Sequence, residues 1–538
     1  MSFKENPAEY QQLSLTDSFQ SLTEREQRVL NKSWARTFAD DIFPYIDEKP
    51  YKVLYSDLPG KPNTPVNICL GAMIIKEMFG ASDDDMVDNL MFDVRYQLAL
   101  HTTSFVEQPL SDKSLTRLRL RVYEYEQKTG IDLIHGTMIG LADKIAELMD
   151  ITPEIKRMDS MMIEANIKRL SRIELLYTCI AKLCIYLARK AKVSLPESLV
   201  HYTEPDDYNK VIYHSKSDEA GEKLLTLLND ADTLFALCGD TYKDIDAYQL
   251  FKRCMSEQTV VDEESRRLKT KEDGEMDSGM MQNPSDPDAT FRTKAGKDHR
   301  GYVANLTETV GENGTVVTDY QFEKNTYSDS QFLKDYIDRQ DENSENSVVI
   351  TDGAYSGTDN KSTAAEKGIE LITTDLTGKD PDPIVTEFEI NRETMKVEKC
   401  PMGYEPTKSK YNPKLETIHA TFQSEQCRNC PHRDRCKATV HTRVSNVKVS
   451  VKSIERAESV KYRGTEEFKN YARLRNGVET VPAIMRNVYH VDRMPRRLHR
   501  GRLFFGCKVG ALNSMKLFNY RRGRGHYAHN PILKKETA

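Results

Sequence analysis

The sequence predicts an α/β core that carries insertions, and three observations support this. The amino-terminal quarter is patterned at the helical period, with Leu70, Met73, Ile74 and Met78 on one face of NICLGAMIIKEMFG. The runs GYVANLTETV and GTVVTDYQFE alternate as strands do, with ENG (residues 312–314) as a hairpin turn between them. Two short apolar runs each hold an aspartate: RMDSMMIEANI with Asp159, and VVITDGAYSG with Asp352 at its carboxyl end. Strands interleaved with helices indicate an α/β core.

The elements follow in order. At 538 residues the chain is too long for one core, so two to four domains are expected. Residues 1–125 read as a helical amino-terminal DNA-binding domain. Gly80 ends the first apolar helix, and Ser82 with Asp85 forms a capping box for the next. A third helix, LSDKSLTRLRLRVYEYEQ, places Arg117, Arg119 and Arg121 in its body. Short helices, the last one basic, suggest helix-turn-helix DNA binding, with a plain helical bundle as the alternative. Residues 126–171 begin the core with an amphipathic helix and the Asp159 strand. Residues 172–272 read as a helical insertion, including SEQTVVDEESRRLKT. Residues 273–380 return to the core: a Gly/Pro/Asp-rich loop, the hairpin, the helix SDSQFLKDYIDRQ and the Asp352 strand. Residues 381–445 are polar and Cys-rich. Residues 446–525 hold a last helix, roughly 465–490, and a basic carboxyl-terminal segment, and 526–538 form a tail.

Composition narrows the class. The chain is 38% hydrophobic and 30% charged, as expected of a soluble globular protein. Its longest apolar stretch, LLYTCIAKLCIYLA, is short and broken by Lys182, so no membrane span is expected. The start, MSFKENPAEYQQL, has no signal-peptide core. The net charge of −6 hides a basic carboxyl terminus: residues 481–538 hold 13 Lys and Arg against Asp492 and Glu536. That asymmetry suggests an anionic polymer as partner, with a solvated tail as the alternative.

Three constellations bear on chemistry. A lone buried charge is costly, so Asp159 and Asp352 call for a reason. Either could simply cap a turn. A third acid sharpens the case. In YARLRNGVETVPAIMRNVYH, a continuous helix would put Tyr471, Arg475, Glu479 and Arg486 on one face. An ordinary Arg475–Glu479 helix pair is the bland alternative. Convergent carboxylates suit a pair of Mg²⁺ or Mn²⁺ ions, each taking one or two protein carboxylates and otherwise water and phosphate oxygens. Arg and Tyr beside them would hold DNA phosphates.

The second constellation is Cys400, Cys427, Cys430 and Cys436, in KCPMGYEP and CRNCPHRDRC. A distant Cys, a CxxC knuckle and a following Cys fit a structural Zn²⁺ site, with His432 as a substitute ligand and unrelated free thiols as the alternative. The third is DRMPRRLHRGRLFFGCKVGALNSMKLFNYRRGRGHY. There Arg493, Arg496, Arg497, Arg500 and Arg502 alternate with apolar residues, as on a folded surface that meets DNA phosphates.

Taken together these residues resemble the DDE transposases of bacterial insertion sequences, in the branch with a helical amino-terminal domain and a Cys-rich segment before the catalytic glutamate. PVNICLGAMIIKEMFGASDDDMVDNLMFDVRYQLAL, SDKSLTRLRLR, DPDATFRTKAGKDHRGY and ITDGAYSG carry the resemblance, which covers most of the chain. It implies a ribonuclease H-like catalytic core with Asp159, Asp352 and Glu479 as metal-holding catalytic residues. Arg475 and Arg486 match the family's flanking basic positions, although Lys is usual at the latter, and Tyr471 stands one residue further from the Arg than is usual. The implied activity is metal-dependent cleavage and strand transfer of double-stranded DNA at terminal inverted repeats, by a homodimer on DNA, in a bacterial cytoplasm. A domesticated, non-catalytic DNA-binding protein is the rival reading, and the presence of all three acids argues against it.

Overall fold

Asp159 and the approach to Asp352 lie on one mixed six-stranded sheet. The structure, a computed structural model, describes residues 1–6, 19, 21–102, 108–213, 220–262, 265–274, 277–340, 347–355, 357–374, 380–524 and 530–533. The expected tail, 526–538, therefore lies mostly outside the described residues. The strands are β1 (Ile155–Glu164), β2 (Thr290–Lys294), β3 (Lys297–Gly311), β4 (Gly314–Lys324), β5 (Ser347–Thr351) and β6 (Ile369–Thr373). They run in the order β2–β3–β1–β5–β6, and β4 also pairs with β3. β1, β5 and β6 are parallel, whereas β3 is antiparallel to β1, β2 and β4.

Alternation along β1 explains its two buried faces. Met158 and Met162 point into a cluster with Val303, Val349 and Phe332, Leu333, Tyr336 and Ile337 of the helix Asp329–Arg339. Met161 and Ile163 point the other way, into the largest cluster. That cluster joins the sheet to the helices Val66–Phe79, Leu133–Leu148 and Leu498–Arg521. The last helix lies so close to β4 that a Cβ on Gly506 would meet the Tyr320 ring, 2.9 Å from its Cζ. Gly80 closes Val66–Phe79 at φ +65°, and the Ser82–Asp85 capping box opens the helix after it, as their sequence predicts.

Three elements differ from the sequence expectation. SEQTVVDEESRRLKT is helical only to Gln258, after which Thr259–Asp262 and Ser265–Leu268 form a hairpin. The β-branched run Thr259, Val260, Val261 favours that extension. The expected helix over 465–490 is broken into Glu466–Asn476, a 3₁₀ turn at Gly477–Glu479, and Thr480–Asn487. Gly477 weakens a helix interior. Pro482 cannot donate to Val478, the residue four before it, and its ring crowds that carbonyl.

The third correction concerns the basic carboxyl-terminal segment. Leu498–Arg521 is a largely buried helix, not a surface strip. Arg502 pairs with Glu126 at 2.8 Å and Glu323 at 2.6 Å, Lys516 with Glu308 at 2.8 Å, and Lys508 with Glu77. Those cations serve internal carboxylates because the helix is threaded between the sheet and the amino-terminal helices.

Two further clusters are separate from the sheet. Leu176, Ile180, Leu183, Leu234 and Phe251 bind the helices Arg172–Arg189, Ala220–Cys238 and Asp246–Gln258 together. Residues 381–445 and their flank form a hairpin and a four-stranded antiparallel sheet. Its strands are β7 (Lys408–Asn412), β8 (Thr417–Gln423), β9 (Thr439–Val440) and β10 (Val444–Ser450), in the order β7–β8–β10–β9. Ile418, Phe422, Val447 and Val449 fill its inner face. Among the described residues, no helix is long and apolar enough to cross a membrane.

Candidate active site

Register brings the two aspartates together. Arg157 on β1 pairs with Ile350 on parallel β5, so Asp159 and Asp352, each two residues further on, end up abreast. Ile350 packs against Phe468, Tyr471 and Leu474 of the helix Glu466–Asn476, which lays that helix over the strand ends. Its next residue toward the turn is Arg475. Arg475 Nη2 lies 3.2 Å from Asp159 Oδ1 and 3.6 Å from Asp352 Oδ2, and its Nη1 is 3.7 Å from Glu479 Oε1. One guanidinium thus stands among all three acids.

The acids are not equivalent. The Asp159 side chain is 15% exposed and that of Glu479 is 78% exposed, because the 3₁₀ turn swings Glu479 toward solvent. Burial pushes the Asp159 carboxyl up to about 6. Arg475 opposes that rise, Asp352 adds to it, and Lys294 opposes it. Asp352 also caps its own turn by accepting the Ala354 N–H at 2.8 Å. The turn-capping role and the charge cluster therefore coexist at one carboxylate.

A buried ion network holds the helix in place from behind. Arg157 donates to the Leu474 carbonyl at 2.6 Å, next to Arg475, and pairs with fully buried Glu308 at 2.7 Å. Neither Arg157 nor Glu308 is marked by local sequence, since Arg157 lies 151 residues from Glu308 and 317 from Leu474, and Glu308 lies 208 from Lys516.

Beside Asp159 opens a cleft of about 690 Å³ lined by Asp159, Lys294, Lys297, His299, Glu479 and Arg486, among others. Lys294 and Lys297 flank a two-residue turn, Ala295–Gly296, in which both φ angles are positive, at 51° and 75°. That is the mirror-type turn favoured by hairpins. Lys294 Nζ reaches to 3.3 Å from Ser160 Oγ. His299 Nδ1 lies 2.8 Å from Glu164 Oε1. Sequence reasoning missed Lys294, Lys297 and His299; the signal was the turn-forming Ala-Gly between two lysines.

The expected DNA-binding residues divide. Arg486 lies in the cleft, donates to the Met162 carbonyl at 2.6 Å and stands 3.8 Å from Asp492. Tyr471 does not face the cleft: it is 8% exposed and packs in the apolar cluster with Ile350 and Ile372, because the helix turns that face to the sheet. Arg496 is exposed and donates to the Asn166 carbonyl at 2.8 Å, and Arg500 is exposed. Arg497 is half-buried, at φ 83°, with its N–H bonded to Asp286. In the amino-terminal region, Arg119 pairs with Asp83 and is not a free basic contact, whereas Arg117 is exposed.

Cys400, Cys427, Cys430 and Cys436 line one cavity of about 20 Å³ together with His432. Burial first, then the neighbouring Cys430, Cys400 and Cys427 thiols, push Cys436 up to about 11. Tight turns flank them: Gly403 N–H bonds to the Cys400 carbonyl at 2.7 Å, and Cys430 N–H to that of Cys427 at 3.4 Å. The donor chemistry suits zinc. Among the described residues, however, no group of three or more His, Cys, Asp or Glu is drawn together closely enough to hold a metal ion. The expected thiolate site is therefore lined but not closed. The three acids likewise supply the oxygen donors a hard cation takes, with the Arg475 guanidinium as their present counter-charge.

Comparison with known proteins adds one positive finding. Residues 399–518 match a family model described as a transposase DDE domain. The match includes the four clustered cysteines, Arg475, Glu479 and Arg486, and leaves Asp159 and Asp352 outside it. No curated protein matches the chain. A solved piggyBac transposase synaptic complex with hairpin DNA is similar at 7% identity and a TM-score of 0.27, over 94% of this chain and 78% of that one, a likeness too slight to bear on the site. By sequence similarity, the segment that supplies Glu479 is thus a match to a transposase DDE domain.

Proposed function

We propose that the chain is a DDE transposase with a ribonuclease H-like core, which binds the terminal inverted repeats of its own element and cuts and rejoins DNA. The observation that carries this reading is the convergence of Asp159, Asp352 and Glu479 on Arg475 from the middle of β1, the end of parallel β5 and a helical turn. The family match at residues 399–518 supports it.

Asp159, Asp352 and Glu479 would hold Mg²⁺ or Mn²⁺, two ions in all, and these would stabilise both the attacking and the leaving oxygen at phosphorus. The chain's own residues do the rest. Arg475 neutralises the acids when no cation is bound and turns to a DNA phosphate when one is. Lys294, Lys297 and Arg486 line the cleft and bind the backbone on either side of the cut, in keeping with their places around Asp159. In the first reaction water attacks the phosphodiester and frees a 3′-OH; in the second that 3′-OH attacks a target phosphodiester, whose own 3′-oxygen leaves. Pairing two ends requires a homodimer on DNA. In this reading Arg496 and Arg500 extend the DNA contact, while Tyr471 supports the helix from its buried side. Zn²⁺ held by Cys400, Cys427, Cys430 and Cys436 would close the second sheet's cavity.

The test is cleavage of DNA bearing the element's ends, with Mg²⁺ or Mn²⁺. Nicking at the boundary by native protein and none by Asp352→Ala is expected. Equal cleavage by both would place the site elsewhere, and specific binding without cleavage would favour a domesticated DNA-binding protein. For zinc, metal analysis should find one ion per chain in native protein and none in Cys427→Ala. Four titratable thiols and no zinc in native protein would remove that part.

A further inference from the structure

A fourth acid stands behind the three that meet at Arg475. Asp329 opens the helix Asp329–Arg339, whose Phe332, Leu333, Tyr336 and Ile337 pack against the Met158–Met162 face of β1. Ser160 shares that face, one residue from Asp159, because side chains alternate along a strand. Lys294, on the hairpin beside the cleft, reaches both. Its Nζ lies 3.3 Å from Ser160 Oγ and 3.9 Å from Asp329 Oδ2. Buried Tyr355 lies among them and donates to Asn305 Oδ1 at 2.6 Å. Burial pushes that hydroxyl well up, and Asp329, Asp159 and Asp352 push it further. Asp329 is thus a close neighbour of both strand aspartates.

For a buried carboxylate Asp329 is poorly served. It is 5% exposed, and its Oδ1 has no hydrogen-bond partner among the described residues. A buried charge without donors is costly. Capping does not explain it, because Ser328 is the N-cap and accepts the Gln331 N–H at 3.1 Å. An acid in the first helical turn gains from the helix dipole, but that gain does not require burial. Among the described residues, the one cation within ion-pair distance of Asp329 is Lys294. Other acids of the cleft have partners of their own: Glu164 has His299 at 2.8 Å, and Asp492 has Arg486 at 3.8 Å.

We infer that Asp329 is a positioning residue: it holds the Lys294 ammonium at the wall of the cleft, beside Asp159, where that ammonium meets a phosphate of the strand being cut. The field around Lys294 depends on what the acids hold. Asp159 and Asp352 attract it only while their own charge is not taken up by cations. In the transposase reading they hold divalent cations, and the field from that side then turns repulsive. Asp329, on the Ser160 face of β1, keeps its charge for Lys294. A lysine is a point charge on a flexible stem, so a fixed carboxylate beside it decides where the charge stands. The phosphate contact rests on the transposase reading; the Asp329–Lys294 contact does not.

The experiment compares native protein, Asp329→Asn, Lys294→Gln and the double variant, all as full chains. One readout is acylation of lysine amines by a water-soluble active ester, located by mass spectrometry, with and without Mg²⁺. An ammonium beside a carboxylate gives up its proton less readily and reacts more slowly. Lys294 should therefore label several-fold faster in Asp329→Asn than in native protein under both conditions, while exposed Lys297 labels alike in the two proteins. The other readout is nicking of DNA that bears the element's ends. Misplacing a contact by about 1 Å can cost about a hundredfold, so Asp329→Asn should lower kcat/KM by up to that factor and Lys294→Gln by at least as much as Asp329→Asn. The double variant should be no slower than Lys294→Gln alone, because Asp329 acts through Lys294. The thermal midpoint of Asp329→Asn should not fall, since a charge without donors is removed. Unchanged Lys294 labelling in Asp329→Asn, or losses that multiply in the double variant, would overturn the inference; a lowered midpoint with unchanged labelling would make Asp329 a helix-end residue only. If native protein nicks no element ends yet the labelling rises, the transposase reading fails together with the phosphate contact, and Asp329 still positions Lys294. Nicking by native protein with unchanged labelling gives the reverse.

Discussion

Replacing Glu308 by glutamine probes the buried network that seats the Arg475 helix on the sheet. Glu308 is fully buried, 2.7 Å from Arg157 and 2.8 Å from Lys516, and also accepts from Thr315 at 2.7 Å. Burial alone would raise its carboxyl. Lys516, Arg157 and the hydrogen bonds outweigh that and hold it at about 2, against an ordinary 4.5. A carboxyl depressed that far contributes roughly 3 kcal/mol at neutral pH. The sign is fixed: this stability is fully present above pH 4.5 and is lost as pH falls through about 2. Removing one partner of a buried ion pair typically costs about 3–5 kcal/mol, which agrees in size. In a cooperative unit of about 150–250 residues, 3 kcal/mol lowers the midpoint by roughly 6–12 °C. Scanning calorimetry of native protein and Glu308→Gln should show a deficit of that order in the sheet transition at pH 7, roughly halved at pH 3. A variant within about 1 °C of native at pH 7, or a deficit equal at both pH values, would refute the reasoning.

Other outcomes follow from the same geometry. Asp159→Asn should abolish cleavage yet stabilise the fold at pH 7.5. The buried carboxyl, raised to about 6 from an ordinary 3.8, is costly when ionised, so the gain grows as pH rises from about 4 to 6, is complete above about 6 and vanishes below about 4. It is bounded at about 3 kcal/mol and reduced by the partner Arg475 loses; denaturant unfolding at the two pH values checks it. Gly506→Ala drives a Cβ into the buried Tyr320 ring and should cost about 1–3 kcal/mol, read as a lower thermal midpoint; an unchanged midpoint would mean that the carboxyl-terminal helix is not packed against β4 as described.

Much of the candidate site was legible because its signals are local. An aspartate inside an apolar run, Asp159, and one that ends such a run, Asp352, could both be singled out, and the Ser82–Asp85 capping box and Gly80 marked helix ends within a few residues. The Arg475–Glu479 spacing was also visible. Its continuation to Arg486 on a single helix was not sound, because Pro482 denies the chain the bond to Val478 and the helix is remade as three pieces. The Cys-rich segment carried a local strand signal as well, Ile418, Ala420 and Phe422 alternating with His419, Thr421 and Gln423, but its polar composition and clustered cysteines overshadowed it.

What the sequence by itself determined is which residues can carry charge at a strand end, where helices begin and stop, and which thiols lie close in the chain. Those depend on neighbours within a turn or a strand. Only the tertiary structure decided how each charge is balanced. Arg475 meets Asp159 across 316 residues, Arg157 meets Glu308 across 151, and Lys516 meets Glu308 across 208. The same basic residues that read as a DNA-facing strip at Arg502, Lys508 and Lys516 became internal counter-ions, while plain-looking Lys410 and Lys448 were left facing solvent. Whether a cation is used inside or outside depends on which acids the folded chain brings within a few ångströms, and no local pattern encodes that distance.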